Sequence, residues 1–185
     1  MTTPKIGRLE TEPALSRPDL LAGPVKSALE GSSSAASVYV APIDASLADT
    51  AAFCAAYDVS LSESANCVVV AGKREGVSYV AACMVLATTR ADVNGVVRRI
   101  LGVRKASFLP MSEAVSATGM EYGGITPLGL PSDWPILVDP AVAALPFAVV
   151  GSGVRGSKLT VPGAVLAAWP GARVVDGLGR PVQEG

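Results

Sequence analysis

The alternation of apolar and polar residues predicts strands and short amphipathic helices that follow one another along the chain. Residues 67–71 form a valine-rich apolar run, and residues 77–88 form a longer one. Residues 72–76 lie between them and are typical of a hairpin turn. Because the two central strands are therefore antiparallel, the pattern favours a mixed sheet of α+β or α/β type over a regular βαβ repeat.

Helices are predicted where apolar residues recur every three or four positions, as they do over residues 93–101. Asp92 is suited to cap the start of that helix and Gly102 to end it. Ser46 is predicted to cap another helix. The remaining predicted helices cover residues 18–29, 46–56, 112–117, 140–145 and 162–169, and the remaining strands cover 37–43, 107–109, 136–139, 147–150, 157–161 and 173–175.

The composition is that of one folded domain. The chain has 185 residues, of which 50% are apolar and 17% charged, so it is too apolar to be disordered. We expect a polar tail at residues 1–13 and a single domain at 14–180. The net charge is −1, which excludes the overall basic surface of duplex-DNA binders, so we expect no DNA partner.

The absence of histidine removes the commonest general base and the commonest zinc ligand. The three cysteines, Cys54, Cys67 and Cys83, are widely spaced and are interpreted as buried reduced thiols. We therefore expect no metal site and no cofactor. No apolar run is long enough to span a membrane, and residues 1–12 lack the apolar core of a signal peptide. These features favour a cytoplasmic protein with no membrane partner.

A loop at residues 122–131 combines three glycines with two prolines. Glycine permits positive φ and close approach, and proline fixes the backbone, so the loop is expected to hold a defined shape. Such a backbone can present N–H and C=O groups to a ligand, although a simple connecting loop has the same composition.

A second glycine-rich segment, residues 151–156, matches the G-x-G-x-x-G pattern of dinucleotide-binding folds. In those folds the glycines open a helix, whereas residues 157–161 here read as a strand, so a dinucleotide site is not favoured. Two interpretations remain, a ligand loop that carries Arg155 and Lys158 or a plain turn.

Four cations lie within eight residues: Arg98, Arg99, Arg104 and Lys105. Arg98 and Arg99 fall outside the apolar stripe of their predicted helix and so face solvent. The cluster is either a solvated surface or a patch that contacts phosphates, and in the second case binding would depend on salt.

Several of these segments, in this order, carry a family resemblance. They are residues 66–70 (Asn-Cys-Val-Val-Val), the strand at 77–88, the helix that Asp92 caps, residues 119–129 (Gly-Met-Glu-Tyr-Gly-Gly-Ile-Thr-Pro-Leu-Gly) and residues 151–153 (Gly-Ser-Gly). The chain resembles the YbaK/ProX-type aminoacyl-tRNA deacylases, also found as the editing insertion of bacterial prolyl-tRNA synthetases, over about residues 18–176.

The resemblance implies a mixed, barrel-like sheet flanked by helices. It also implies trans-editing, in which the ester between a wrong amino acid and the terminal adenosine of a tRNA is hydrolysed. The implied partners are the acceptor end of a mischarged tRNA and, as a further candidate, an aminoacyl-tRNA synthetase. In such enzymes hydroxyls of the terminal ribose assist the reaction, which would suit a chain without histidine.

Site residues follow from the same resemblance, because the Gly-x-x-x-Pro loop shapes the aminoacyl pocket and the later glycine loop forms its opposite wall. The implied catalytic residues are Asn66, Gly123, Gly124 and Thr126. The implied substrate-binding residues are Ile125, Pro127, Gly151, Ser152, Gly153, Arg155 and Lys158.

Asn66 departs from the family pattern, in which many members carry a lysine. A neutral amide keeps hydrogen bonding but loses the positive charge. Asn66 could be a plain strand-edge residue, could orient substrate without charge, or could mark a weakened member that binds aminoacyl ligands without turnover. Lys158 or Arg155 could supply the missing charge from across the pocket.

Overall fold

The computed structural model describes residues 3–182, which form a mixed α/β fold of short elements. The strands are β1 (Glu12–Pro13), β2 (Tyr39–Pro42), β3 (Ala65–Arg74), β4 (Val77–Leu86), β5 (Thr89–Ala91), β6 (Ala106–Phe108), β7 (Ile136–Val138), β8 (Ala148–Gly151), β9 (Ser157–Val161), β10 (Ala172–Val174) and β11 (Gly179–Pro181). The helices are α1 (Gly23–Glu30), α2 (Thr50–Tyr57), α3 (Arg98–Leu101), α4 (Met111–Thr118), α5 (Pro140–Ala143) and α6 (Gly163–Ala167).

The strands form two principal sheets. The larger has the order β10-β7-β4-β3-β6, with the long antiparallel hairpin β3–β4 at its centre and β7 parallel to β4. The smaller has the order β1-β2-β9-β8 and is antiparallel throughout, and β5 pairs separately with β11. The predicted central hairpin and mixed sheet are both confirmed.

The two sheets meet where Ser64 forms a parallel bridge with Val149. One apolar core fills the space between them and draws on β2, β8 and β9 from one side and β4 and β7 from the other. On the other flank of β3, β6 pairs only with residues 70–72. Between the bridge at Ser64 and the contacts that begin at Val69, this edge of β3 has no paired strand, and the gap at residues 66–68 opens onto the cleft described below.

Most predicted elements are present, but the cap of α2 is not the predicted one. The carboxylate of Asp49 accepts hydrogen bonds from the backbone N–H groups of Ala51 and Ala52, whereas the N–H of Ser46 donates to Asp44. Asp is as good an N-cap as Ser, and an Asp at 49 places the helix start three residues later. Farther along, Asp92 and Gly102 cap the next helical segment as predicted, although its first turn, Val93–Val97, is a π-helix.

The N-terminal segment is not a free polar tail over its described part. Ile6 and Leu9 are buried and pack in the cluster that includes α2, and the N–H of Arg8 donates to the carbonyl of Tyr57 at 2.8 Å. Two isolated apolar residues among polar ones form no periodic pattern, so sequence alone did not indicate this packing. Met1 and Thr2 lie outside the described residues.

Every helix of residues 3–182 is too short or too polar to cross a bilayer. The three cysteines are free thiols; Cys54 and Cys83 are buried as expected, whereas Cys67 is only partly buried.

Candidate active site

A cleft of about 440 Å³ lies between the start of α2, the open edge of β3 and the two glycine-rich loops. Six of the eleven predicted site residues line it. Its lining residues are Ala48, Asp49, Thr50, Ala65, Asn66, Cys67, Val68, Tyr122, Gly123, Ile125, Gly151, Arg155 and Lys158.

The two glycine loops pack backbone against backbone and form one wall of the cleft. The later loop therefore does not form the opposite wall that the resemblance implied. The N–H of Gly153 donates to the carbonyl of Gly124 at 2.7 Å. A Cβ on Gly151 would lie 2.4 Å from the oxygen of Gly124, and a Cβ on Gly124 would lie 2.8 Å from the backbone of Val154. Glycine is required at these positions because no side chain fits between the loops.

Arg155 connects this wall to the segment that precedes α2 on the other side of its guanidinium. Its guanidinium donates to the carbonyl of Tyr122 at 3.0 Å and to the carbonyl of Ala45 at 3.2 Å. Its backbone N–H donates to the carboxylate of Glu121 at 2.7 Å. The planar fork of arginine suits two carbonyls on different segments, so Arg155 fixes the width of the cleft.

Lys158 is a buried cation that faces the same space. It lies on β9 opposite Gly151, is only 9% exposed, and holds its Nζ 5.1 Å from the centre of the Phe53 ring. Burial lowers the pKa of the Lys158 ammonium below its ordinary value, and the nearby Arg155 lowers it further. Within residues 3–182 no carboxylate pairs with Lys158. A buried lysine that is not paired is rare and costly, and such a group in a cleft indicates a functional site.

Asn66 faces the cleft from β3. The hydroxyl of Thr50 donates to Oδ1 of Asn66 at 2.8 Å. Because this bond uses the amide oxygen, the two N–H groups of the amide are the donors left for a ligand. Thr50 thereby orients the Asn66 side chain.

Residues 44–168 match the model of the aminoacyl-tRNA editing domain family. The chain belongs to this family. The matched region covers well over half of the chain and contains every predicted site residue, and it confirms the family to which the sequence was assigned by resemblance. No curated protein matches the chain.

Solved structures share the fold of this editing domain. The crystal structure of a candidate trans-editing enzyme for prolyl tRNA synthetase has a TM-score of 0.70 at 22% identity, covering 84% of this chain and 94% of that one. A scaffold protein used in computational epitope grafting gives 0.71 at 22% identity, with 84% and 95% covered. A hypothetical protein gives 0.64 at 22% identity, with 75% and 86% covered.

Five predicted residues of the editing domain lie behind the wall of the cleft: Gly124, Thr126, Pro127, Ser152 and Gly153. Thr126 is fully buried, and its hydroxyl has no hydrogen-bond partner within residues 3–182. The hydroxyl of Ser152 lies 2.6 Å from that of Ser157, which donates to the carbonyl of Leu20. These contacts give Ser152 a structural position that supports the later glycine loop.

Cys67 borders the editing-domain cleft with its backbone as well as its side chain. The carbonyl of Ser64 accepts from Ala87 on the β4 side, whereas that of Val69 accepts from Leu109 on the β6 side. Backbone groups of successive residues in a strand point to opposite edges, so those of Cys67 point to the same side as those of Val69. The N–H of Cys67 therefore faces the open edge. The apolar surroundings of the Cys67 sulfur raise the pKa of its thiol above the ordinary value, which favours the neutral thiol over the nucleophilic thiolate.

Sequence reasoning did not identify the contributions of α2, namely Asp49, Thr50 and Phe53. The apolar pattern predicted the helix, but nothing in the pattern placed its first turn beside Asn66, which lies 16 residues farther along the chain. Within residues 3–182, no three His, Cys, Asp or Glu side chains converge as they would at a metal site.

Proposed function

We propose that this protein hydrolyses, in trans, the ester that links a wrongly attached amino acid to the acceptor end of a tRNA. The observation that carries the proposal is the convergence of both glycine loops, Asn66 and Lys158 on one cleft inside the family-matched region. Such editing is needed because a synthetase pocket discriminates a missing methylene by only about 1–3 kcal/mol. A synthetase is a further candidate partner, and the cytoplasm is the proposed location.

Ester hydrolysis requires stabilisation of the negative charge that develops on the carbonyl oxygen. The cleft offers the ammonium of Lys158, the amide N–H groups of Asn66 and the edge N–H of Cys67. In the proposed arrangement Lys158 neutralises the developing charge and Asn66 orients the ester. Gly123 and Ile125 contact the aminoacyl group.

The residues behind the wall are proposed to hold this geometry. Gly124, Thr126, Pro127, Ser152 and Gly153 fix the shape of the backbone, so that the wall does not move when the ester binds. Because the chain has no histidine, a hydroxyl of the substrate's terminal ribose is the proposed activator of the attacking water.

The direct test is a panel of mischarged tRNAs incubated with the folded protein while loss of the ester is followed. We expect acceleration for at least one aminoacyl-tRNA over the rate without protein. Correctly charged tRNAs with the same acceptor stems provide the matched control for general esterase activity. Folded protein that accelerates none of the mischarged tRNAs would sink the proposal.

A second function, binding of aminoacyl-tRNA without turnover, is favoured by one observation, the neutral Asn66 with its oxygen already bonded to Thr50. It predicts saturable binding of aminoacyl-tRNA with no change in ester lifetime. Under this alternative, the Asn66→Lys variant gains turnover that the natural sequence lacks.

A further inference from the structure

A second hollow, of about 360 Å³, adjoins the cleft and is here called the apolar hollow. Cys67, Val68, Tyr122 and Ile125 line both spaces, so a ligand in the cleft can extend into the hollow without leaving the surface. Its other lining residues are Val69, Phe108, Leu109, Met111 and Ala114.

Large apolar side chains around this hollow are open to solvent. Phe108 is 62% exposed, Tyr122 is 56% exposed and Met111 is 53% exposed. Single exposed apolar residues are ordinary, but three that surround one hollow form a contiguous patch of the kind that marks a ligand or partner site. Two of the three are aromatic rings that can stack on a flat ligand.

The surface beyond the apolar hollow is positively charged. A third hollow, of about 300 Å³, shares Phe108 and Leu109 with it and is lined by Lys73 and Lys105. Both lysines are exposed, and within residues 3–182 neither pairs with a carboxylate at 4.0 Å or less. Glu113 lines the same hollow, so two ammonium groups face one carboxylate.

We propose that the apolar hollow binds a nucleobase of the single-stranded acceptor end of the tRNA, and that Lys73 and Lys105 bind the phosphates that follow. The inference rests on the proposed function, because the ester in the cleft defines which end of the strand lies there. Along this surface the ester site is followed by the apolar hollow and then by the two lysines, Lys73 and Lys105. A single-stranded nucleic acid has the matching order of groups, and its binding sites combine aromatic stacking with a basic groove.

The stacking step is tested with an unacylated, fluorescently labelled single-stranded RNA that has the acceptor-end sequence. Binding is measured by anisotropy. Phe108→Ala and Tyr122→Ala are each expected to weaken binding by at least about fivefold, since a stacked base contributes that much or more. Tyr122→Phe keeps the ring and is expected to bind like the natural protein. Circular dichroism confirms that these variants of exposed residues remain folded.

The phosphate step is tested by the dependence of binding on salt. The double variant Lys73→Gln/Lys105→Gln removes two phosphate contacts, so the slope of log K against log salt should fall in magnitude by about 1.4. Arg98→Gln/Arg99→Gln makes the same change in charge on α3, outside all three spaces, and should leave the slope unchanged. Equal effects of the two double variants would show long-range attraction alone and would overturn the proposal.

The outcomes separate this inference from the function on which it rests. Absence of RNA binding by the natural protein, or binding that survives both alanine variants, overturns the inference. So does an unchanged RNA affinity with an altered preference among mischarged amino acids, which would assign the hollow to the amino-acid side chain. RNA binding that needs Phe108 and Tyr122, without any ester hydrolysis, supports the inference and rejects the proposed function.

Discussion

The ammonium of Lys158 lies 5.1 Å from the centre of the Phe53 ring, in the cleft that the carboxamide of Asn66 also lines. A ring face attracts a cation weakly and does not neutralise it as a carboxylate would. The charge of Lys158 therefore remains available to an anionic oxygen in the cleft. The cations that line this site are thus Lys158 on β9 and Arg155 in the loop before it, whereas Asn66 on β3 carries no charge.

Removal of the charge of Lys158 should slow ester hydrolysis in a protein that remains folded. Lys158→Gln is expected to lower kcat by about 100-fold, the size of effect seen when one oxyanion donor is lost. Asn66→Lys in the same background returns a cation to the cleft and should restore part of the rate. Lys26→Gln, at a half-exposed lysine of α1 that pairs with Glu30, serves as control. Retention of full activity by Lys158→Gln would remove Lys158 from the mechanism.

The pH profile provides an independent test of the same group. Because burial lowers the pKa of Lys158, its charge is lost at a lower pH than for an exposed lysine. We expect kcat to fall as pH rises through that lowered pKa. Lys158→Arg keeps its charge to higher pH and should move this alkaline limb upward. An identical limb in both proteins would assign the titration to another group.

As pH rises through the pKa of Lys158, the free energy of unfolding should rise while the rate of ester hydrolysis falls. Between the lowered pKa and the ordinary value of 10.5, the unfolded chain holds a proton on Lys158 that the folded chain does not. The free energy of unfolding therefore rises with pH through that window, and below it burial of the charge carries its full cost. Lys158→Met should raise Tm at pH 7, by a margin that shrinks toward pH 10. Thermal unfolding at both pH values checks this, and a lower Tm at pH 7 would contradict it.

The contact between the glycine loops predicts different effects of alanine at Gly151 and Gly156, the two ends of the later glycine-rich segment. Gly151→Ala places a Cβ 2.4 Å from the Gly124 oxygen, and the forced separation should cost about 1–3 kcal/mol of stability and lower the deacylation rate. At Gly156 a Cβ would meet nothing within 4 Å, so Gly156→Ala should stay within about 0.5 kcal/mol of the natural protein. Urea unfolding measures both, and equal stability would show that the loops can separate freely.

Thr126 offers a test of whether its hydroxyl takes part in the chemistry. The hydroxyl is buried and has no hydrogen-bond partner among the described residues, and Thr126→Val replaces it with a methyl group of the same shape. We expect the free energy of unfolding to be unchanged or to rise by about 1 kcal/mol, because the cost of burying an unpaired hydroxyl is removed. Activity should not change. A folded Thr126→Val protein that lost turnover would return the hydroxyl to a catalytic role.

The sequence was most informative where residue type determines backbone conformation, as it does at glycine. Glycines at 124, 151 and 153 allow the two loops to pack backbone against backbone. The resemblance identified both loops as part of the pocket, but it implied opposite walls, whereas the structure has them on the same wall. Thr50 and Phe53 were not identified because an amphipathic helix pattern states which face is buried but not which distant strand its first turn meets. Ile6 and Leu9 were missed for a related reason, since two apolar residues without periodicity predict no element.

The pairing of β2 with β9 determines which residues must accompany this domain when it is moved into another protein. β9 carries Lys158, and its partner β2 lies before residue 44, where the family match begins. The carbonyl of Leu20 and the N–H of Ala22 also bond to the later glycine loop and its neighbour Ser157. A graft of residues 44–168 into a synthetase would lack β2 and leave one edge of β9 unpaired. A graft that starts at residue 3 would retain β2 and the contacts of Leu20 and Ala22 with the later glycine loop.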